Sequence, residues 1–206
     1  MTKVADSTIR RLSLYLRFLE EFEERGTATV SSEALAARGG TTSAQVRKDL
    51  SFFGSFGKRG LGYRVPELAS RLRQILGLTG RYRVALIGAG KIGSALYQHH
   101  GFRDRGFDIV AIFDRDPQKI GHVWSEVPVA DVAQLETILG AHPVDIAILV
   151  TPAEAAQETA DRLVRLGIKA ILSFAPVQLS VPHEVAVKTV NLVLELEALS
   201  YSLTNR

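Results

Sequence analysis

Gly88-Ala89-Gly90-Lys91-Ile92-Gly93 follows the run Arg81-Tyr82-Arg83-Val84-Ala85-Leu86-Ile87 and leads into Ser94-Ala95-Leu96. This is G-x-G-x-x-G between a strand and a helix. In such a loop Gly88 allows the turn, Gly90 lets backbone N–H groups approach a pyrophosphate, and Gly93 lets helix and strand pack closely, while the helix N-terminus favours phosphate charge. The string alone is weak. A second apolar run, Asp108-Ile109-Val110-Ala111-Ile112-Phe113, ends at Asp114, 21 residues after Gly93. An acid there grips a ribose diol and repels a 2′-phosphate, which favours NAD(H) over NADP(H); Arg115 beside it weakens the preference, since a guanidinium could accept that phosphate. Ala89, Lys91 and Ile92 complete the candidate loop. Thr151-Pro152 and Phe174-Ala175-Pro176-Val177 stand at the C-terminal ends of later strand runs, where ligands of open α/β sheets bind, or where proline fixes a turn.

A second group of residues suits nucleic acid. Ser43-Ala44-Gln45-Val46-Arg47-Lys48-Asp49-Leu50-Ser51-Phe52-Phe53 is expected to be a helix with Ala44, Val46, Leu50 and Phe53 inward and Gln45, Arg47, Lys48 and Ser51 outward. Such side chains can address guanine O6/N7 or adenine edges in a major groove. Downstream, Gly54, Gly57, Gly60 and Gly62 punctuate Phe56, Lys58, Arg59, Tyr63 and Arg64. The expectation is a glycine-rich hairpin, with Lys58 and Arg59 at a tip that fits a groove or lies along phosphates.

The elements that must hold these residues are periodic. Ile9, Leu12, Leu16, Leu19 and Phe22 recur at helical spacing over 9–24, with Ser7 or Thr8 as candidate cap. A short helix over 30–38 starts at Ser31 or Ser32, and Gly39-Gly40-Thr41-Thr42 is a turn into the candidate recognition helix. A closing helix spans 66–78. The first part of the chain thus reads as a winged helix-turn-helix domain over 1–77 and the remainder, 78–206, as a Rossmann-like doubly wound parallel sheet, with helices over 132–139 and 153–166 and strands over 144–150, 170–174 and 185–190. Leu192 to Leu203 is a final helix too apolar to stand free. It packs on its own sheet or on a second subunit.

Charge agrees with this division. Residues 1–77 hold 13 Lys/Arg against 8 Asp/Glu, and the remainder 12 against 14, within a total of +3. The absence of cysteine excludes disulfides, thiolate metal sites and thiol redox sensing, so redox sensitivity must come from a ligand. No apolar run approaches a membrane span and no signal peptide is legible, so a cytoplasmic protein is expected. The five histidines show no ligand spacing, so neither a metal site nor catalytic residues are assigned. A DNA reader joined to a cofactor binder without catalytic groups has the composition of a sensor. Two alternatives stay open: a small NAD-dependent oxidoreductase, and a CoA-binding module on the same fold, against which Asp114 argues.

The strings Gln45-Val46-Arg47-Lys48-Asp49-Leu50-Ser51-Phe52-Phe53-Gly54, Gly57-Lys58-Arg59-Gly60-Leu61-Gly62-Tyr63, the glycine loop, and Gly167-Ile168-Lys169-Ala170-Ile171-Leu172-Ser173-Phe174-Ala175-Pro176 resemble the Rex family of redox-sensing transcriptional repressors over essentially the whole chain. The resemblance implies a homodimer that binds a palindromic operator when NADH is scarce, releases it when NADH binds, and exchanges its last helix between subunits. It assigns Arg47 and Lys48 to the major groove and Arg59 to the minor groove. Gly88, Gly90, Gly93 and Asp114 would hold the adenosine diphosphate half of the nucleotide, with Lys91 near the pyrophosphate. It also implies a switch between an N-terminal Arg, a Tyr after the glycine loop and an Asp before the last helix. Here Arg17 matches the first, but His99 stands at the Tyr position and Asn191 at the Asp position, so Arg17 is expected to lack its carboxylate.

Overall fold

The computed structural model describes residues 4–57 and 61–205. Its contacts divide the chain into two compact units, Met1–Gly80 and Arg81–Arg206.

The first unit opens with α1 (Asp6–Glu24). The helix begins earlier than its periodicity indicates. Ala5 occupies the cap position without a side-chain hydrogen bond, and the expected caps Ser7 and Thr8 lie inside the helix. Leu12, Tyr15, Leu16 and Leu19 are buried along one stripe, each such side chain contributing about 1.5–3 kcal/mol. Next come β1 (Thr29–Val30), α2 (Ser32–Gly39) and α3 (Ser43–Ser51). Ser31 caps α2 by accepting from the Ala34 N–H, and Thr42 caps α3 by accepting from the Gln45 N–H. β2 (Tyr63–Arg64) and α4 (Val65–Ile75) complete the unit, with Pro66 in the first turn of α4, where its missing N–H costs nothing.

The C-terminal arm of the expected wing has a strand partner distant in sequence. β2 pairs antiparallel with β1, Thr29 opposite Arg64 and Val30 opposite Tyr63, so its strand partner lies before α2. The close approach needs Gly62, where a Cβ would stand 2.4 Å from the Val30 carbonyl oxygen. Lys58, Arg59 and Gly60 lie outside the described residues.

The second unit runs β3 (Tyr82–Ile87), α5 (Lys91–Gln98), α6 (His100–Asp104), β4 (Phe107–Asp114), β5 (Val123–Trp124), β6 (Val127–Asp131), α7 (Leu135–Ala141), β7 (Ile146–Leu149), α8 (Ala153–Arg165), β8 (Ala170–Ser173), β9 (Ala186–Thr189) and α9 (Leu192–Thr204). Among the described residues the sheet order is β5-β6-β4-β3-β7-β8-β9, parallel except for β5. The order reverses at β3, between β4 and β7, which is the switch point where α/β sheets open a crevice at their strand C-termini. Three elements were not foreseen. α6 is one short turn, and β5 and β6 carry Pro128 and too few residues to show alternation. Ala85, Ile87, Phe113, Ala147, Leu149, Ala156, Ala160 and Leu163 belong to the core that places the strand ends.

Candidate functional site

In the second unit, β3 delivers the chain to the glycine loop. The Gly88 N–H donates to the Phe113 carbonyl at 2.7 Å, and Gly88 takes φ +111°. A Cβ there would stand 2.6 Å from the Val150 carbonyl oxygen; at Gly93 one would stand 2.1 Å from the Gly88 carbonyl oxygen. Both glycines are therefore required by the protein's own packing. Gly90 is different: its φ is −81° and a Cβ would meet nothing within 4 Å. Among the described residues nothing explains a glycine there, whereas a ligand pressed against the backbone would. Gly90 also occupies the N-cap of α5, where no side chain accepts from the first-turn N–H groups. Those donors, with the helix dipole, suit an anion. Lys91 and Ile92 are exposed beside them.

Asp114 ends β4 next to this loop and is 9% exposed. Its carboxylate accepts from the Ala89 N–H at 2.6 Å, the Asp116 N–H at 2.9 Å and Lys119 Nζ at 3.3 Å. Burial pushes this carboxyl up, but those hydrogen bonds and the Lys119 charge outweigh it and leave it below the ordinary value. The turn-capping and loop-binding roles of Asp114 coexist. Three of about four acceptor positions are filled, leaving capacity for a ribose hydroxyl. Lys119 was missed by sequence reading. Its only signal was a cation five residues after the acid. Arg115 is exposed.

Thr151 follows Val150, whose N–H donates to the Ile87 carbonyl at 2.9 Å. Its Oγ1 is buried without a hydrogen-bond partner among the described residues. Such a group costs about 1–3 kcal/mol when left unpaired, and here it lies beside the glycine loop. Pro152 is exposed and caps α8. The loop glycines, Asp114 and Thr151 together fit a dinucleotide: N–H donors for phosphate, a carboxylate for a diol, and an unsatisfied hydroxyl for a polar group.

His99, at the candidate switch position, stands away from the glycine loop. It ends α5, one helix length of about 12 Å from the glycine loop of its own chain, and its Nδ1 accepts from the Gly101 N–H. Asn191 lies beyond the C-terminal end of β9, at the opposite end of the sheet, where its Oδ1 caps α9 by accepting from the Val193 and Leu194 N–H groups. Arg17 is exposed on α1 of the first unit.

On α3 the expected outward residues divide. Lys48 and Ser51 are exposed; Arg47 is exposed and donates to Ser32 Oγ at 2.8 Å, with Glu33 Oε1 at 3.4 Å. That ion pair is solvated and weak, so Arg47 is available to phosphate. Ser43 and Gln45 are half-buried. Ala44, expected inward, is exposed, because the helix turns its Val46, Asp49 and Leu50 face to the core. Tyr63 is 7% exposed, and its ring packs with the core of the first unit.

The residue missed on α3 is Asp49, a carboxylate 1% exposed. Arg11 donates to both of its oxygens, Nε to Oδ2 at 2.6 Å and Nη2 to Oδ1 at 2.7 Å; Tyr15 donates to Oδ2 at 3.0 Å and Gln45 Nε2 to Oδ1 at 2.8 Å. Burial pushes the Asp49 carboxyl up, yet these donors hold it below its ordinary value, while burial and the Asp49 bond push the Tyr15 hydroxyl up to about 12. The cluster locks α3 to α1. Only the charge at an otherwise inward helical position could have signalled it.

Family models match parts of both units. Residues 79–177 match the family model described as "CoA binding domain", and residues 3–51 the one described as "Putative DNA-binding protein N-terminus". The chain is similar to the redox-sensing transcriptional repressor Rex of Carboxydothermus hydrogenoformans, 47% identical over 201 residues that cover 98% of this chain and 97% of the relative. The protein of the same description from Pelotomaculum thermopropionicum is 46% identical over 204 residues, 99% of this chain and 96% of that one. Among solved structures it is similar to RSP in complex with β-NAD+ and operator DNA, at TM-score 0.94 and 42% identity, covering 98% of this chain and 94% of RSP. RSP with β-NADH gives TM-score 0.89 and 41% identity, covering 98% and 95%.

Proposed function

The chain belongs to the Rex family of redox-sensing transcriptional repressors, and on that premise we propose that residues 1–77 read a palindromic operator while residues 78–206 bind NAD+ or NADH and join two copies into a homodimer. The protein is a regulator, not an enzyme. α3 enters the major groove with Gln45, Arg47, Lys48, Ser43 and Ser51, and the wing brings Lys58 and Arg59 to phosphates or the minor groove. Gly88, Gly90, Gly93 and Asp114 hold the adenosine diphosphate half of the cofactor. Thr151 takes a polar group of the nucleotide on its orphaned hydroxyl. The cytoplasm is the compartment that offers both the operator and the NADH pool.

The observation that carries this reading is Gly90, which neither its φ nor its neighbours require to be glycine. Dimerisation is supported by α9, which has no buried residue although Leu192, Val193, Leu194, Leu196, Leu199, Tyr201 and Leu203 lie along it. An apolar helix of this kind is stable in water only when covered, and a second copy, with the helix exchanged, covers it.

Control of DNA by nucleotide requires that the nucleotide bind two subunit arrangements with different affinity. A ratio of about 100 supplies ~2.7 kcal/mol of coupling. NADH favours an arrangement in which the two α3 helices no longer match half-sites about 34 Å apart. The test is a titration of NADH, and separately NAD+, into protein bound to the operator duplex that RSP binds, at fixed salt. NADH should release the DNA at concentrations where NAD+ does not; operator affinity unchanged across the NADH range would eliminate the switch. The match of residues 79–177 to a CoA-binding model favours a second reading, in which CoA is the ligand. Displacement of NADH by CoA in the same titration would support it.

A further inference from the structure

We propose that Asp49 is a positioning residue for base recognition, holding the Gln45 carboxamide in the orientation that reads adenine. The inference rests on α3 being the helix that enters the major groove. Gln45 is the third residue of α3, in the N-terminal turn from which such helices contact base edges. It stands one turn before Asp49 and donates from Nε2 to Oδ1 at 2.8 Å.

A free glutamine can present either face of its amide. An ionised carboxylate accepts only, so the NH2 group must face Asp49, and a flipped amide would oppose oxygen to oxygen. Asp49 is well supplied without Gln45, since Arg11 reaches both of its oxygens and Tyr15 one of them. The bond therefore constrains Gln45 more than it satisfies Asp49. An amide that gives Asp49 its N–H anti to Oε1 keeps the other N–H side by side with Oε1. That donor–acceptor pair is complementary to N7 and N6 of adenine. Guanine offers acceptors at both places, and Oε1 would face O6. The rotamer freedom of Gln45 is given up on folding, before DNA arrives.

The test is selection of bound duplexes from a randomised pool at fixed salt, with the enriched sequences read out. Wild-type protein should enrich adenine at one position of each half-site. Gln45→Ala should lose about tenfold of that preference at that position and no other. Asp49→Asn, which can offer its own NH2 to Oε1 and so turn the amide, should relax the same position. Tyr15→Phe removes a donor to Asp49 without touching Gln45; it should lower thermal stability and leave the preference intact. A selected duplex carrying 7-deazaadenine at that position needs no change to Asp49: wild-type protein should lose about tenfold in affinity and Gln45→Ala nothing. Equal preference in wild type, Gln45→Ala and Asp49→Asn, or equal loss on 7-deazaadenine with and without Gln45, overturns the proposal alone. No enrichment by wild-type protein overturns it together with the DNA-reading function beneath it.

Discussion

Gly90 and Gly93 sit three residues apart in one loop, yet an added methyl group meets different obstacles. At Gly93 it collides with the Gly88 carbonyl oxygen, so Gly93→Ala should lower the melting temperature, with strain of about 1–3 kcal/mol. At Gly90 it enters open space. Gly90→Ala should melt like the parent and bind NADH about tenfold or more weakly, because the methyl occupies the approach to the helix N-terminus. Equal NADH affinity, read by fluorescence titration, would remove Gly90 from the site. Thr151→Val keeps the shape and removes the orphaned hydroxyl. It should leave stability equal or raised and weaken NADH by about fivefold to tenfold. Both glycines look alike as letters; only what surrounds each separates a packing role from a binding one. Asp49 shows the converse, a charge that the string assigned to neither face and that lies in the core because α1 supplies Arg11 and Tyr15 to meet it.

At the scale of elements, α7 and α8 are tied by Arg162, which donates to both oxygens of Glu136 at 2.6 and 2.5 Å. The Arg162 hydrogen bonds lower the Glu136 carboxyl from 4.5 to about 2. A depressed folded-state value contributes stability above the unfolded value and loses it as pH falls through the folded one. Thermal melts should therefore show Glu136→Gln less stable than the parent at pH 7, with the gap closing between about pH 4.5 and pH 2. The pair is partly solvated, so salt should shrink the gap as well. Helices with strong periodicity, α1, α3, α4 and α8, were legible as elements. The β5–β6 pair was not, because strands of 2 and 5 residues carry too short a pattern to distinguish from a loop. The partner of β2 escaped for another reason: pairing across α2 and α3 leaves no mark in the local string.

At the scale of the whole molecule, the exposed apolar α9 and the Asn191 that caps it carry the proposed homodimer. Leu196 and Leu199 lie three residues apart and are 64% and 61% exposed in the single chain. Leu196→Glu with Leu199→Glu should give a folded monomer by sedimentation equilibrium, with weakened operator binding because one half-site is lost. A dimer that survives both charges would move the interface elsewhere. Asn191 caps α9 with its side-chain oxygen, a task aspartate performs equally well. Asn191→Asp should therefore keep the helix and restore the carboxylate that the Rex resemblance pairs with Arg17. The ratio of operator affinities without and with NADH should rise by about fivefold or more. An unchanged ratio would show that Arg17 works through another group.

The amino-acid sequence determined by itself the two kinds of chemistry on this chain, because a glycine loop followed by an acid and a basic helix after a turn are local patterns with local physical causes. It determined the apolar character of the last helix for the same reason. Only the tertiary structure decided that Tyr63 is core, that Asp49 is buried and holds Gln45, that Thr151 carries an unpaired hydroxyl, and that His99 stands a helix length from the glycine loop of its own chain. These depend on which distant segments meet, and burial is a property of the meeting rather than of the residue.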